Sequence, residues 1–115
     1  MFPAARINDI ATARYAITEN LLDMVAMTRA HIADPQIVNK LVAGQEDRIR
    51  PCVGATHCMS ANRPTCLHNP ATGRELKLPQ LITPSEYGNR RVVVVGAGPA
   101  GLEAARVSAE RGHQV

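Results

Sequence analysis

The chain has 115 residues, a net charge of +3, no Trp, one Phe and two Tyr, so any core is left to Leu, Ile, Val, Ala and Met. The Lys and Arg residues are scattered and form no stripe interleaved with aromatics, which argues against nucleic acid as a partner. No apolar run reaches transmembrane length, and Met1-Phe2-Pro3 lacks the charged start and apolar stretch of a signal peptide; a cytoplasmic protein with no membrane partner is expected.

From the N-terminus, Phe2 to Ile7 reads as a short strand end. Asn8 or Asp9 suits the cap of a following helix, on which Ile10, Ala13, Ile17 and Leu21 recur at near-helical spacing. Asp23-Met24-Val25-Ala26-Met27 reads as a buried strand, and Thr28-Arg29 opens an arginine-bearing loop. Asp34-Pro35 predicts the cap and first position of a second helix, with Ile37, Val38, Leu41 and Val42 on its apolar face and Gly44 at its end. Strand, helix, strand, loop, helix is a βα order, consistent with a parallel sheet or barrel.

Residues 45–76 carry little periodicity. Cys52, Cys58 and Cys66 lie within fifteen residues, in the spacing C-x5-C-x7-C. Three cysteines do not make a disulfide framework, and in a reducing compartment a cluster of them points to metal or redox chemistry. Three thiolates on one loop suit an iron–sulfur cluster or, with a histidine, zinc. His57 and His68 are candidates for a missing fourth ligand, although a loop histidine is more often simply solvated. Pro79, Pro84 and Gly88 mark residues 77–90 as a linker.

Val92 to Val95 is a run of four valines, the pattern of a strand buried on both faces. Gly96-Ala97-Gly98-Pro99-Ala100-Gly101 follows, then a helix over Leu102 to Arg111 with Leu102, Ala105 and Ala109 on one face, a left-handed cap at Gly112, and the start of another strand at His113. In this context G-x-G-x-x-G is the dinucleotide fingerprint: Gly96 for the turn, Gly98 for the approach of a pyrophosphate, Gly101 for close helix–strand packing. Gly96, Gly98, Pro99, Ala100 and Gly101 are the candidate nucleotide-binding residues. The acidic residue that chooses among NAD, NADP and the ADP half of FAD falls at or beyond Val115, which suggests an internal piece of a larger protein.

In this order the motifs resemble the iron–sulfur flavoenzymes of the old yellow enzyme superfamily, the group of trimethylamine dehydrogenase and 2,4-dienoyl-CoA reductase. The stretch Asp23 to Arg29 with Ile32-Ala33-Asp34-Pro35 resembles the last strand of the flavin barrel. Ile49 to Gly54 resembles the start of the [4Fe–4S] loop, and Cys66-Leu67-His68-Asn69-Pro70 its end. Cys66 to Glu75 most resembles the N-methylproline demethylases. The resemblance implies an α/β chain in four parts: the C-terminal end of a TIM (β/α)8 barrel over 1–50, an iron–sulfur loop over 51–76, a linker over 77–90, and the first βα unit of a Rossmann-like domain over 91–115. It further implies that Arg6 and Arg29 contact the phosphate of FMN and that Cys52, Cys58 and Cys66 ligate the cluster. FAD, or ADP or NAD(P), would sit on the glycine-rich turn. The family pattern has a cysteine where Ala55 stands and a longer gap before the last cysteine.

The expectation is thus part of a flavin-dependent oxidoreductase that handles electrons, with a parent acting on small N-methylated amines or enone-like substrates and a homo-oligomer left open. No catalytic acid, base or nucleophile is assigned. The rival readings are a stand-alone metal- or nucleotide-binding module and an inactive remnant.

Overall fold

The computed structural model describes residues 1–60 and 62–115. They form two compact units, Met1–Leu78 and Pro79–Val115. No helix among the described residues is long and apolar enough to cross a membrane.

In the first unit, helix α1 spans Ile10–Thr18. Asp9 caps it: one carboxylate oxygen accepts the Thr12 N–H at 2.7 Å and the other the Thr12 hydroxyl at 2.8 Å. The Thr12 N–H, then its hydroxyl, holds the Asp9 pKa below the usual aspartate value. The buried residue of α1 is Ala16, and the expected face does not form as drawn, because Ile17 is exposed. The helix stops before Leu21, where the N–H groups of Leu21 and Leu22 both return to the Ala16 carbonyl.

The strands expected over 2–7 and 23–27 are absent from the described residues. The two segments touch through Asp23 N–H to Met1 O at 3.4 Å and Ala26 N–H to Pro3 O at 3.2 Å, with the amino terminus paired to Asp23. Pro3 has no N–H to return, so the pairing cannot extend into a ladder. Met24 is 60% exposed rather than buried.

The arginine-bearing stretch expected as loop is instead helix α2, Thr28–Ala33, with Ala30 and Ala33 buried. Helix α3 follows at Ile37–Val42, and Gly44 lies beyond its end at φ +69°. Asp34 and Pro35 do not open α3 as cap and first residue. Asp34 closes α2, its N–H bonding the Ala30 carbonyl, and its carboxylate collects three donors. These are Gln36 N–H at 3.0 Å, Lys40 Nζ at 2.5 Å and Arg50 N–H at 2.8 Å. Only Ile37 of the predicted α3 face is buried, at 2% exposure, while Val38 and Val42 are exposed.

Residues 69–72 tuck beneath α2. Asn69 Nδ2 and the Thr72 hydroxyl both donate to the Ile32 carbonyl, at 3.1 and 3.0 Å. The last carbonyls of a helix have no partner within it, so this pair of hydrogen bonds meets a real need. Ala16, Ala30, Ala33, Ile37 and Ala71 make a small core, with Asn69 buried at 1% exposure.

In the second unit, helix α4 spans Pro99–Glu110, with Pro99 at its first position and no side chain capping its N-terminus. It starts three residues earlier than the expected helix and ends one residue sooner, at Glu110, with Arg111 as its C-cap. Arg106 bonds Glu103 and Glu110 one turn to either side. Gly112, at φ +86°, ends it: its N–H bonds Ala109 O at 2.9 Å and His113 N–H bonds Ser108 O at 3.0 Å. The buried strand over Val92–Val95 is not found. One parallel bridge joins Arg91 to Gln114, and Val93 and Val95 are 81% and 95% exposed. A strand is defined by its neighbours, and here a single bridge stands on one side.

Gly101 is where α4 meets the valine run. A Cβ there would lie 2.1 Å from the Gly96 carbonyl oxygen and 3.5 Å from Val94 Cγ1. We expect Gly101→Ala to cost roughly 1–3 kcal/mol despite alanine's better helix propensity, read as faster hydrogen exchange of α4 amides. Asp34 gives a second test. Burial disfavours its charge, but Lys40 and the Arg50 and Gln36 N–H groups outweigh that and hold its pKa below 3.8. Its stabilisation is therefore complete above pH 3.8 and fades as pH falls through the lower folded value. Asp34→Asn should cost about 2 kcal/mol at neutral pH, less than a fully buried pair because Lys40 is partly exposed, and should flatten the acid limb of a urea stability profile.

Candidate functional site: a cysteine-lined hollow

The loop that carries the cysteines is held at both ends by α2. At its start, Arg50 N–H is fixed on Asp34, and the Arg50 guanidinium donates to the Ala33 carbonyl at 3.3 Å. Gly54 then turns the chain at φ +68° and Thr56 at φ +61°. A single 3-10 turn follows at His57–Met59, closed by the Ser60 hydroxyl on the His57 carbonyl at 2.8 Å. At its far end Asn69 is tied to Ile32. Across the loop, His68 Nδ1 lies 2.9 Å from the Pro51 carbonyl oxygen.

The result is a hollow whose wall includes Cys52, Cys58, Cys66, His57, His68 and Arg29. All three cysteines are unpaired and half-buried. The enclosed part is about 30 Å³, the room of one water or small ion. A larger group would have to extend beyond this enclosed part, toward exposed lining residues such as His57 and His68. The Thr65 hydroxyl, beside Cys66, is buried with no hydrogen-bond partner among the described residues.

Among the described residues no three His, Cys, Asp or Glu side chains are placed to hold one metal ion. The expected convergence of Cys52, Cys58 and Cys66 on one metal is thus not formed among the described residues, although all three line the hollow. A cluster makes a different demand, since each thiolate binds its own iron and the ligands stand apart. In kind, three sulfur donors and two imidazoles around one hollow fit an iron–sulfur group.

Both arginines read as phosphate ligands lie against this loop. Arg29, on the first turn of α2, is in the hollow's wall. Arg6, itself at φ +58°, brings its guanidinium within 3.9 Å of where a Cβ on Gly54 would sit. Neither makes an ion pair that would occupy it among the described residues. The glycine-rich residues belong to the other unit. There Gly96 turns the chain at φ +111°, and a Cβ on Gly98 would meet open space. Sequence reasoning missed the placement of Arg29 beside the thiols and the bracing role of Asn69 and Thr72. The spacing Asn69-Pro70-Ala71-Thr72 was a turn signal, but only the folded chain shows which carbonyl it serves.

No protein-family model matches the chain. Curated proteins do. It is 61% identical, over all 115 residues, to a multifunctional alkene reductase/demethylase from Caballeronia cordobensis. It is 55% identical over 118 aligned positions to a probable N-methylproline demethylase from Rhizobium meliloti, covering 99% of the chain. The chain belongs to this old yellow enzyme-type family. It spans 17% of the length of each of these two relatives. Among solved structures, 6-hydroxypseudooxynicotine amine oxidase from Pseudomonas geniculata N1 superposes with a TM-score of 0.82 at 35% identity, over 99% of this chain and 18% of that one. Histamine dehydrogenase from Rhizobium sp. 4-9 gives the same TM-score at 30% identity, over 97% and 17%.

Gly54 is the test of the loop's geometry. A Cβ there would adopt a left-handed conformation and lie 3.3 Å from Asn8 Nδ2. Gly54→Ala should cost roughly 1–2 kcal/mol in urea unfolding and speed the reaction of Cys52 and Cys58 with a thiol reagent.

Proposed function

We propose that this chain is the cofactor-holding, electron-transferring part of a flavin-dependent oxidoreductase whose substrates are small N-methylated amines or enone-like alkenes. The observation that carries the reading is the meeting of Arg29 with Cys52, Cys58 and Cys66 on one hollow, in a chain with oxidoreductase relatives.

In this reading Arg29 and Arg6 grip the phosphate of FMN, because a planar guanidinium offers paired donors to phosphate oxygens. Cys52, Cys58 and Cys66 hold an iron–sulfur cluster as thiolates. When bound, the cluster supplies one-electron storage between the flavin and the next acceptor. The Asp34 and Asn69 anchors keep the two ends of the loop fixed, so that the thiolates are presented from a rigid base. The turn Gly96 to Gly101 offers the uncapped N–H groups of α4 to the pyrophosphate of FAD or another adenine dinucleotide, with open space at Gly98. No residue of the chain is assigned to bond-breaking; its side chains bind, orient and exclude water.

The experiment is anaerobic purification of the native protein followed by flavin, iron and sulfide analysis, for wild type and Arg29→Ala. Wild type should carry FMN, iron and sulfide, and the variant should bind FMN about tenfold or more weakly, the loss of a charge-assisted bond. Unchanged FMN affinity in Arg29→Ala, or a wild type free of flavin, would sink the proposal.

A further inference from the structure

We propose that His68 is the fourth ligand of the group held by Cys52, Cys58 and Cys66, binding iron through Nε2. This rests on the cluster reading above and assigns the donor that the cysteines leave missing.

Ala55 also lines the hollow and offers only a methyl group. Of the other side chains in the wall, Arg29 has no lone pair to give and Thr56 and Thr65 are weak donors, so the choice falls between His57 and His68. Three features separate them. First, a carbonyl oxygen only accepts, so the 2.9 Å contact with Pro51 puts the proton of His68 on Nδ1. That leaves Nε2, across the ring, with its lone pair free. Metal-binding histidines are oriented in this way, by donating the other ring N–H to a carbonyl or carboxylate. Secondly, the same bond joins the two ends of the loop, since Pro51 precedes Cys52 and His68 follows Cys66 by two residues. Thirdly, the backbone after His68 is anchored, with Asn69 buried and bonded to the Ile32 carbonyl. His57 sits on a one-turn helix after a left-handed residue, and its ring makes no hydrogen bond among the described residues.

The carbonyl bond alone would not suffice. His31 Nδ1 makes a similar one to Met27 O at 3.0 Å, within its own helix, but His31 is not in the hollow's wall. What marks His68 is the bond together with three thiols around the same space. The ligand set has a chemical consequence. Imidazole is neutral where thiolate is negative, so three Cys and one His leave the cluster less negative and easier to reduce.

The test uses the native protein, purified anaerobically and chemically reduced, with pulsed EPR to detect nitrogen coupled to the cluster. Wild type and His57→Ala should each show a directly bound imidazole nitrogen and roughly four irons per chain. His68→Ala should lose the nitrogen coupling and fall toward roughly three irons. His68→Cys should restore the iron without the nitrogen and shift the midpoint potential downward, which separates loss of a ligand from loss of fold. Coupling that survives in His68→Ala, that disappears in His57→Ala, or that is absent from an iron-replete wild type overturns the assignment while leaving the cluster reading intact. A wild type without iron and sulfide overturns both.

Discussion

The short helix α2 is the point on which the first unit depends. A helix of six residues cannot hold itself together in water, because nucleation costs more than so few bonds return. Its stability comes from what is attached to its end. The Ile32 carbonyl takes two side-chain donors from residues 69–72, the Ala33 carbonyl takes the Arg50 guanidinium, and Asp34 takes the Arg50 N–H. Those same bonds fix the start and the far end of the cysteine loop. Local stability and site geometry are therefore one problem here, and a change at Asp34 or Asn69 reaches the thiols without touching them.

The second unit depends on a different constraint, the close approach of two backbones. At Gly101 there is no room for a side chain against the Gly96 carbonyl, while at Gly98 a side chain would meet nothing. The two glycines thus have opposite physical reasons. One is required by packing within the protein. The other needs a reason outside the described chain, and an approaching ligand supplies it on the proposed reading.

Helix ends were legible in the sequence because their causes are local. Asp9 as a cap, Gly44 and Gly112 beyond helix ends, and Gly101 at the close approach of α4 to the valine run each follow from a few neighbouring residues. The strands were not, because strand is a statement about partners. Residues 2–7, 23–27 and 92–95 have strand-like composition but too few paired neighbours among the described residues to form ladders. Helix α2 was missed for the converse reason: Thr28-Arg29-Ala30-His31 has no apolar periodicity, and its helicity is imposed from residues 34, 50, 69 and 72. Asp34-Pro35 looked like a helix start because a capping aspartate and a loop-anchoring aspartate are the same residue until the donors are located. At the site, cysteine spacing announced sulfur chemistry, whereas the company that the cysteines keep depended on the fold.

That company bears on how the proposed electron path would work. Arg29 projects from the first turn of α2, and the loop that carries the thiols is tied to the last turn of the same helix. The phosphate grip and the loop's anchor thus share one helix of six residues, and Arg29 itself stands in the wall beside the thiols. On the proposed reading, two cofactors held from a single short helix would keep their spacing whenever the helix moves as a unit. Electron transfer is steeply sensitive to that spacing, whereas substrate binding elsewhere in an enzyme is not. On this reading the buried Asp34 network contributes more than stability. It would also fix the cysteine loop against the helix that carries Arg29, through a buried carboxylate, a lysine and two backbone donors.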